Sequence, residues 1–359
     1  MTDLIAPFPW FGGKRKVAAE VWRRLGDTPN YIEPFFGSGA ILLGRPEFDG
    51  NRIETINDAD GHLANFWRSL QADPDGVARY AAWPVNELDL HARGDWLFYR
   101  PDVKEWVERL RSDPDYYDAK SAGWWVWFVS SWIGRLPSIE VSQIKGWRER
   151  IQANSDRTGM VSRQLPHLGS AGRGVNRTGM VSRQLPHLGD TGKGVNRASL
   201  GSTDRREHLT AYLRQLAARL ERVRVCYGDW SRVTGPSVTY KHGLTAVFLD
   251  PPYSAEAGRD NGLYSTESLT VAHDAREWAI ANGDNPLMRI ALCGYDGEGH
   301  EELSEHGWSS YAWKAPGGYG SQGNGRGKDN AKREVIWFSP HCLNPDAEKE
   351  WRLFDEVTP

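Results

Sequence analysis

The run Thr245-Ala246-Val247-Phe248-Leu249 is apolar throughout and stops at Asp250-Pro251-Pro252-Tyr253. An unbroken apolar run of this length, closed by two residues without a backbone N–H, reads as a buried strand with a sharp end. In open α/β sheets the crevice outside the strands' carboxyl ends is where ligands bind. An acid, two prolines that offer carbonyls but no donors, and an aromatic face are therefore delivered to one place. Asp250 and the carbonyl groups of Pro251 and Pro252 suit the hydrogens of an amine on a flat ring, and Tyr253 suits the ring's face. Taken alone, the tetrapeptide is equally a strand-ending turn, since Asp and Pro are ordinary turn residues.

Its context begins near the N-terminus. Tyr31-Ile32-Glu33-Pro34-Phe35-Phe36-Gly37-Ser38-Gly39-Ala40 reads as strand, glycine turn and helix start. Gly37 and Gly39 let a backbone approach a ligand closely, and a following helix would direct free N–H groups there. A second strand, 53–57, ends in Asn57-Asp58, at the distance where an acidic residue meets a nucleoside's ribose hydroxyls. No Gly-Lys-Ser/Thr follows the glycines, so the turn is not a phosphate loop.

Helical spacing at Val17, Val21, Trp22 and Leu25, and again at Leu63, Phe66, Trp67 and Leu70, places helices around these strands. The alternation resumes with a helix through Leu209, Leu213, Leu216 and Leu220, and strands near 223–227, 245–249, 288–293, 309–313 and 334–338. Such alternation predicts a parallel sheet with helices on its faces. Residues 71–204 break the pattern with Pro-rich turns, many tryptophans and a repeat, and read as an inserted, partly helical module. Of Trp83, Trp96, Trp106, Trp124, Trp125, Trp127, Trp132 and Trp147, most are expected in a core, where their large area anchors a small module. The expected division is therefore 1–70 and 205–345 for the sheet domain, 71–204 for the insert and 346–359 for a tail.

Arg157–Asn176 and Arg177–Asn196 are near-identical twenty-residue copies that differ only at Ser170/Asp190, Ala171/Thr191 and Arg173/Lys193. From 141 to 206, twelve Lys and Arg face four Asp and Glu, although the whole chain carries a net charge of −3. Phosphates are the natural partner for such a local excess. Arg163, Gln164, Arg183 and Gln184 can pair with base edges, and Lys193, Arg326 and Lys328 can meet phosphates. The competing reading is a duplication tolerated in a surface loop.

Cys226, Cys293 and Cys342 lie far apart without metal-ligand spacing, so neither a disulfide framework nor a metal site is expected. The longest apolar stretch, 124–133, is too short for a membrane span, and no signal-peptide pattern opens the chain. A soluble protein of the cytoplasm follows as the expectation.

Trp10-Phe11-Gly12-Gly13-Lys14, the turn from Glu33 to Gly39, Asn57-Asp58, Gly228-Asp229-Trp230 and Asp250–Tyr253, in that order, resemble the Dam-like DNA adenine methyltransferases. The motif order is that of the alpha group, and phage-type members are included. The resemblance implies a Rossmann-like methyltransferase sheet with an inserted DNA-recognition module. It implies methyl transfer from S-adenosylmethionine to the N6 amine of an adenine flipped out of double-stranded DNA, leaving S-adenosylhomocysteine and using no metal. Asp250, Pro251, Pro252 and Tyr253 would hold the base. Trp10, Gly13, Lys14, Glu33, Phe35, Gly37, Gly39, Asp58 and Asp229 would hold the cofactor: Lys14 its carboxylate, Asp58 its ribose and Asp229 its adenine amine. Action in a prokaryotic cell or phage-infected host, and pairing with a restriction endonuclease, belong to the same expectation. Two alternatives stay open: transfer to the N4 amine of cytosine, and a catalytically silent DNA-binding relative.

Overall fold

The computed structural model describes residues 4–10, 13–46, 52–131, 202–252, 270–313 and 334–345. The repeat, the tail beyond 345, Tyr253, and the Arg, Gln and Lys side chains expected on DNA lie outside these residues.

Seven described strands form one sheet in the order β3-β2-β1-β4-β5-β7-β6. They are β1 (Asn30–Glu33), β2 (Ile53–Asp58), β3 (Val223–Tyr227), β4 (Thr245–Leu249), β5 (Met288–Tyr295), β6 (Ser309–Ala312) and β7 (Glu334–Phe338). The first five run parallel, and β7 is antiparallel to both β5 and β6. The apolar strands β4 and β7 are buried along their whole length, whereas Ser309 and Ser310 of the edge strand β6 are exposed. This is the Rossmann-like methyltransferase architecture expected from the sequence. From β1 the chain winds outward through β2 and β3, then returns to β4 on the other flank of β1. The β1–β4 boundary is thus the topological switch point, where the loops leaving neighbouring strands diverge and open a crevice.

The helices follow from local signals. In α1 (Ala18–Leu25) Val21, Trp22 and Leu25 face the core. The glycine turn leads into a single turn, α2 (Ala40–Leu43), stopped at Gly44 and followed by Pro46. Asp60 caps α3 (Gly61–Ala72) by accepting from the N–H groups of His62 and Leu63. Asp73 and Pro74 start α4 (Pro74–Ala81), and Asn86 caps α5 (Glu87–Tyr99). Then come α6 (Val103–Ser112), α7 (Ala119–Ser131), α8 (Ser202–Leu220) and α9 (Val271–Gly283).

One hydrophobic cluster runs from Tyr31, Ile56 and Phe248 of the sheet through Phe66 and Trp67 of α3 to Val77 of α4, Leu97 of α5, and Trp125 and Trp127 of α7. Trp106, Trp125 and Trp127 are buried and Trp96 and Trp124 partly so, while Trp83 keeps 47% of its surface exposed. Among the described tryptophans of this region, burial therefore predominates, as expected for residues of that size. No described helix is long and apolar enough to cross a membrane.

Candidate functional site

The carboxyl edge of the parallel strands gathers the residues singled out in the sequence. After β1 the chain turns tightly: Gly37 and Gly39 have φ of 50° and 64°, a region that disfavours any residue with a Cβ. Space demands glycine as well. A Cβ on Gly37 would come within 2.6 Å of Trp10 Nε1, and one on Gly39 within 2.4 Å of Phe36 Cζ. Trp67 Nε1 donates to the Gly37 carbonyl at 3.1 Å, so two indoles hold this turn.

Asp58 closes β2 and reaches across to the same turn. Its Oδ2 accepts from Gly37 N at 3.0 Å and its Oδ1 from Asp60 N at 2.9 Å. Loss of water around the carboxyl raises its pKa to about 7, against the pull of these N–H groups. Beside it, Asn57 Nδ2 donates to Pro34 O at 3.1 Å and Gly228 O at 2.9 Å, tying the loops after β1 and β3 together. Asn57 Oδ1 is buried without a hydrogen-bond partner. Asp229, after β3, is exposed, and its Oδ1 caps the short helix Trp230–Val233 through Ser231 N at 2.9 Å. Phe35 is half-buried with its ring 5.8 Å from that of Trp230.

At the end of β4, Asp250 keeps 22% of its side chain exposed and its Oδ2 lies 3.0 Å from Lys14 Nζ. Lys14 is buried, with 4% of its side chain exposed, and its ammonium also stands 3.5 Å from Glu334 Oε2. The ammonium expected at the cofactor's carboxylate therefore lies against two carboxylates of the protein itself. Pro251 is buried and Pro252 half-buried. Glu33 accepts from the Tyr31 hydroxyl at 2.8 Å, and burial holds its carboxyl well above the usual range. Burial likewise pushes the Cys293 thiol well up and Tyr295 to about 12.

The structure thus brings together Trp10, Glu33, Phe35, Gly37, Gly39, Asp58 and Asp229 around the β1–β3 loops, and Lys14 with Asp250 at the switch point. Around Gly13 a Cβ would meet nothing within 4 Å. Sequence reasoning missed Glu334 and Tyr295, which face each other in the β5–β7 register. Because β7 runs antiparallel, its first residue, not its last, reaches the carboxyl edge. The signal available was a lone acid, Glu334, directly before the wholly apolar Val335-Ile336-Trp337-Phe338.

The edge fits a nucleoside bearing hydroxyls, an amine and a cationic centre. Its acceptors are the Asp58 carboxyl, the exposed Asp229 and the orphaned Asn57 Oδ1, set around a turn with no room for side chains. Among the described residues, no group of three or more His, Cys, Asp or Glu side chains could hold a metal.

Residues 10–122 match the family of D12 class N6 adenine-specific DNA methyltransferases. A DNA N-6-adenine-methyltransferase of Escherichia phage P1 is 35% identical over 74 residues, which amount to 21% of this chain and 9% of that protein. Asp229, Asp250 and Glu334 lie beyond the family match. Over residues 10–122, which carry Lys14, the glycine turn and Asp58, the resemblance read from the sequence is borne out as one to adenine-specific DNA methyltransferases of the D12 class, and the phage P1 relative bears out a phage-type one.

Proposed function

We propose that this protein methylates the exocyclic N6 amine of adenine in double-stranded DNA, with S-adenosylmethionine as the donor. The observation that carries the reading is Asp250: a partly open carboxylate at the switch point, steadied by a buried ammonium and followed by the Pro251 carbonyl. Adenine's amine is a weak nucleophile because its lone pair is delocalised into the ring. Two acceptors, Asp250 and the Pro251 carbonyl, would take its two hydrogens and favour a tetrahedral nitrogen with a localised lone pair. When bound, the donor supplies an activated methyl group on a sulfonium. Asp58 and Asp229 would accept from its ribose hydroxyls and adenine amine, and Trp10 and Phe35 would flank it.

A base inside a duplex cannot reach this edge, so the target adenine is flipped out, with Tyr253 as the stacking face. Residues 71–204, including the basic repeat, serve as the recognition module in this reading, and the work is done in a prokaryotic cytoplasm. Asp250 and its neighbours would serve the N4 amine of cytosine equally well, and the adenine-specific family match favours adenine. The test is transfer of radiolabelled methyl groups from S-adenosylmethionine to DNA, followed by nucleoside analysis. N6-methyladenine is the expected product. N4-methylcytosine would move the assignment to the other amine, and absence of label across DNA of varied sequence would favour the silent relative.

A further inference from the structure

The charges around Lys14 come from four strands. Asp250 follows β4, Glu334 opens β7, Glu33 ends β1, and Cys293 and Tyr295 stand on β5, with the Trp313 ring 6.0 Å from the ammonium after β6. Burial raises the pKa of Glu33, Cys293 and Tyr295, and of Glu334 itself, where Lys14 pulls the other way. Among the described residues, the Lys14 ammonium stands within ion-pair distance of two carboxylates. A lone Lys14–Asp250 pair would cancel, leaving Asp250 a weakened acceptor. With Glu334 Oε2 3.5 Å away the ammonium is shared between two carboxylates, so its pull on Asp250 is divided. Glu334 is almost as buried as Lys14, with 6% of its side chain exposed, and its Oε2 makes no hydrogen bond of good geometry. Burying a carboxylate so incompletely satisfied is costly.

We propose that Glu334 is a positioning residue of the Asp250 site: from the first residue of β7 it holds Lys14 so that the ammonium orients the Asp250 carboxylate without cancelling it. The inference rests on the reading of Asp250 as the acceptor for the substrate amine.

The experiment compares the full-length wild type with Glu334→Gln and Glu334→Asp. Competitive acylation of lysines across a pH series, read by mass spectrometry, reports how firmly Lys14 keeps its proton. Losing one anion should move Lys14 down by about one pH unit, an approximately tenfold gain in labelling at a given alkaline pH. Glu334→Asp, which keeps the charge, should fall between wild type and Glu334→Gln. Binding of S-adenosylhomocysteine, measured by calorimetry, should stay within about twofold in both variants, while kcat for methyl transfer falls about tenfold in Glu334→Gln and is partly rescued in Glu334→Asp. Unchanged Lys14 labelling and kcat in a folded Glu334→Gln protein would overturn the proposal, and so would equal losses in the two variants. If Glu334→Gln does not fold, Glu334→Asp decides alone: Lys14 labelling above wild type supports the role, and labelling like wild type refutes it. A wild type that transfers no methyl group defeats the proposed function, and the labelling comparison still decides whether Glu334 governs Lys14.

Discussion

In the proposed reading Asp58, at the end of β2, and Asp250, after β4, answer to different ligands, which separates their substitutions. Asp250→Ala should abolish detectable methyl transfer while leaving S-adenosylhomocysteine affinity nearly intact; activity and calorimetry on the same sample check it. Loss of cofactor affinity with the fold preserved would move Asp250 to the other ligand. Asp229→Ala should weaken the cofactor by about 0.5–1.5 kcal/mol, the worth of one ordinary hydrogen bond. Asp58 adds a pH dependence. Its folded pKa of about 7 lies above the ordinary 3.8, so between those values the native state holds a proton that the unfolded chain has released. Stability from this group is present at low pH and is lost as pH rises through about 7. Asp58→Asn should flatten the urea midpoint against pH between about pH 4 and pH 7. The ionised carboxylate is the better acceptor, so wild-type affinity for S-adenosylhomocysteine should climb from about pH 6 to pH 8 and that climb should vanish in Asp58→Asn. A parallel climb in the variant would assign it to another group.

At the scale of elements, Trp125 of α7 packs edge-on to Phe8 with ring centroids 5.0 Å apart and lies 6.2 Å from Trp10, joining that helix to the segment over the glycine turn. Trp125→Ala should cost about 3–5 kcal/mol, as large aromatic truncations in cores do, and chemical denaturation would measure it. Strands such as β4 and β7 were readable because each is a short, mostly apolar run with a turn signal at its end, and β3, β4 and β7 match their expected bounds. The helix expected near Ser38 shrank to one turn because Gly44 and Pro46 stop it. Helices α4 to α7 were not separable in the sequence. Ten residues of α7 are buried, Ser121 and Ser130 among them, so no polar stripe marks a helical period. Lys14, Asp58 and Asp250 stood out because their motifs are local. Glu334 did not, since its role depends on an antiparallel register and a partner at the other end of the chain.

For the whole molecule, charge is the relevant quantity: a chain of net −3 must concentrate its cations to hold DNA, and the repeat is where the sequence does so. Deleting 177–196 recreates the Asn-Arg junction already present at Asn196-Arg197, and removes Arg177, Arg183 and Lys193 against Asp190. If those cations lie on phosphates, DNA affinity should drop and the log–log salt slope should become shallower by roughly one unit per lost contact, with cofactor affinity unchanged. Filter binding across a salt series checks this, and an unaltered slope would mark the duplication as a tolerated loop. The union of Lys14, Asp250 and Glu334 has a consequence in time. Ribosomes add roughly 5–20 residues each second, so Lys14 emerges roughly a quarter of a minute to a minute before the strand that completes its surroundings. A nascent chain can wind β1 to β5 early, yet the proposed active centre closes only once β7 is made.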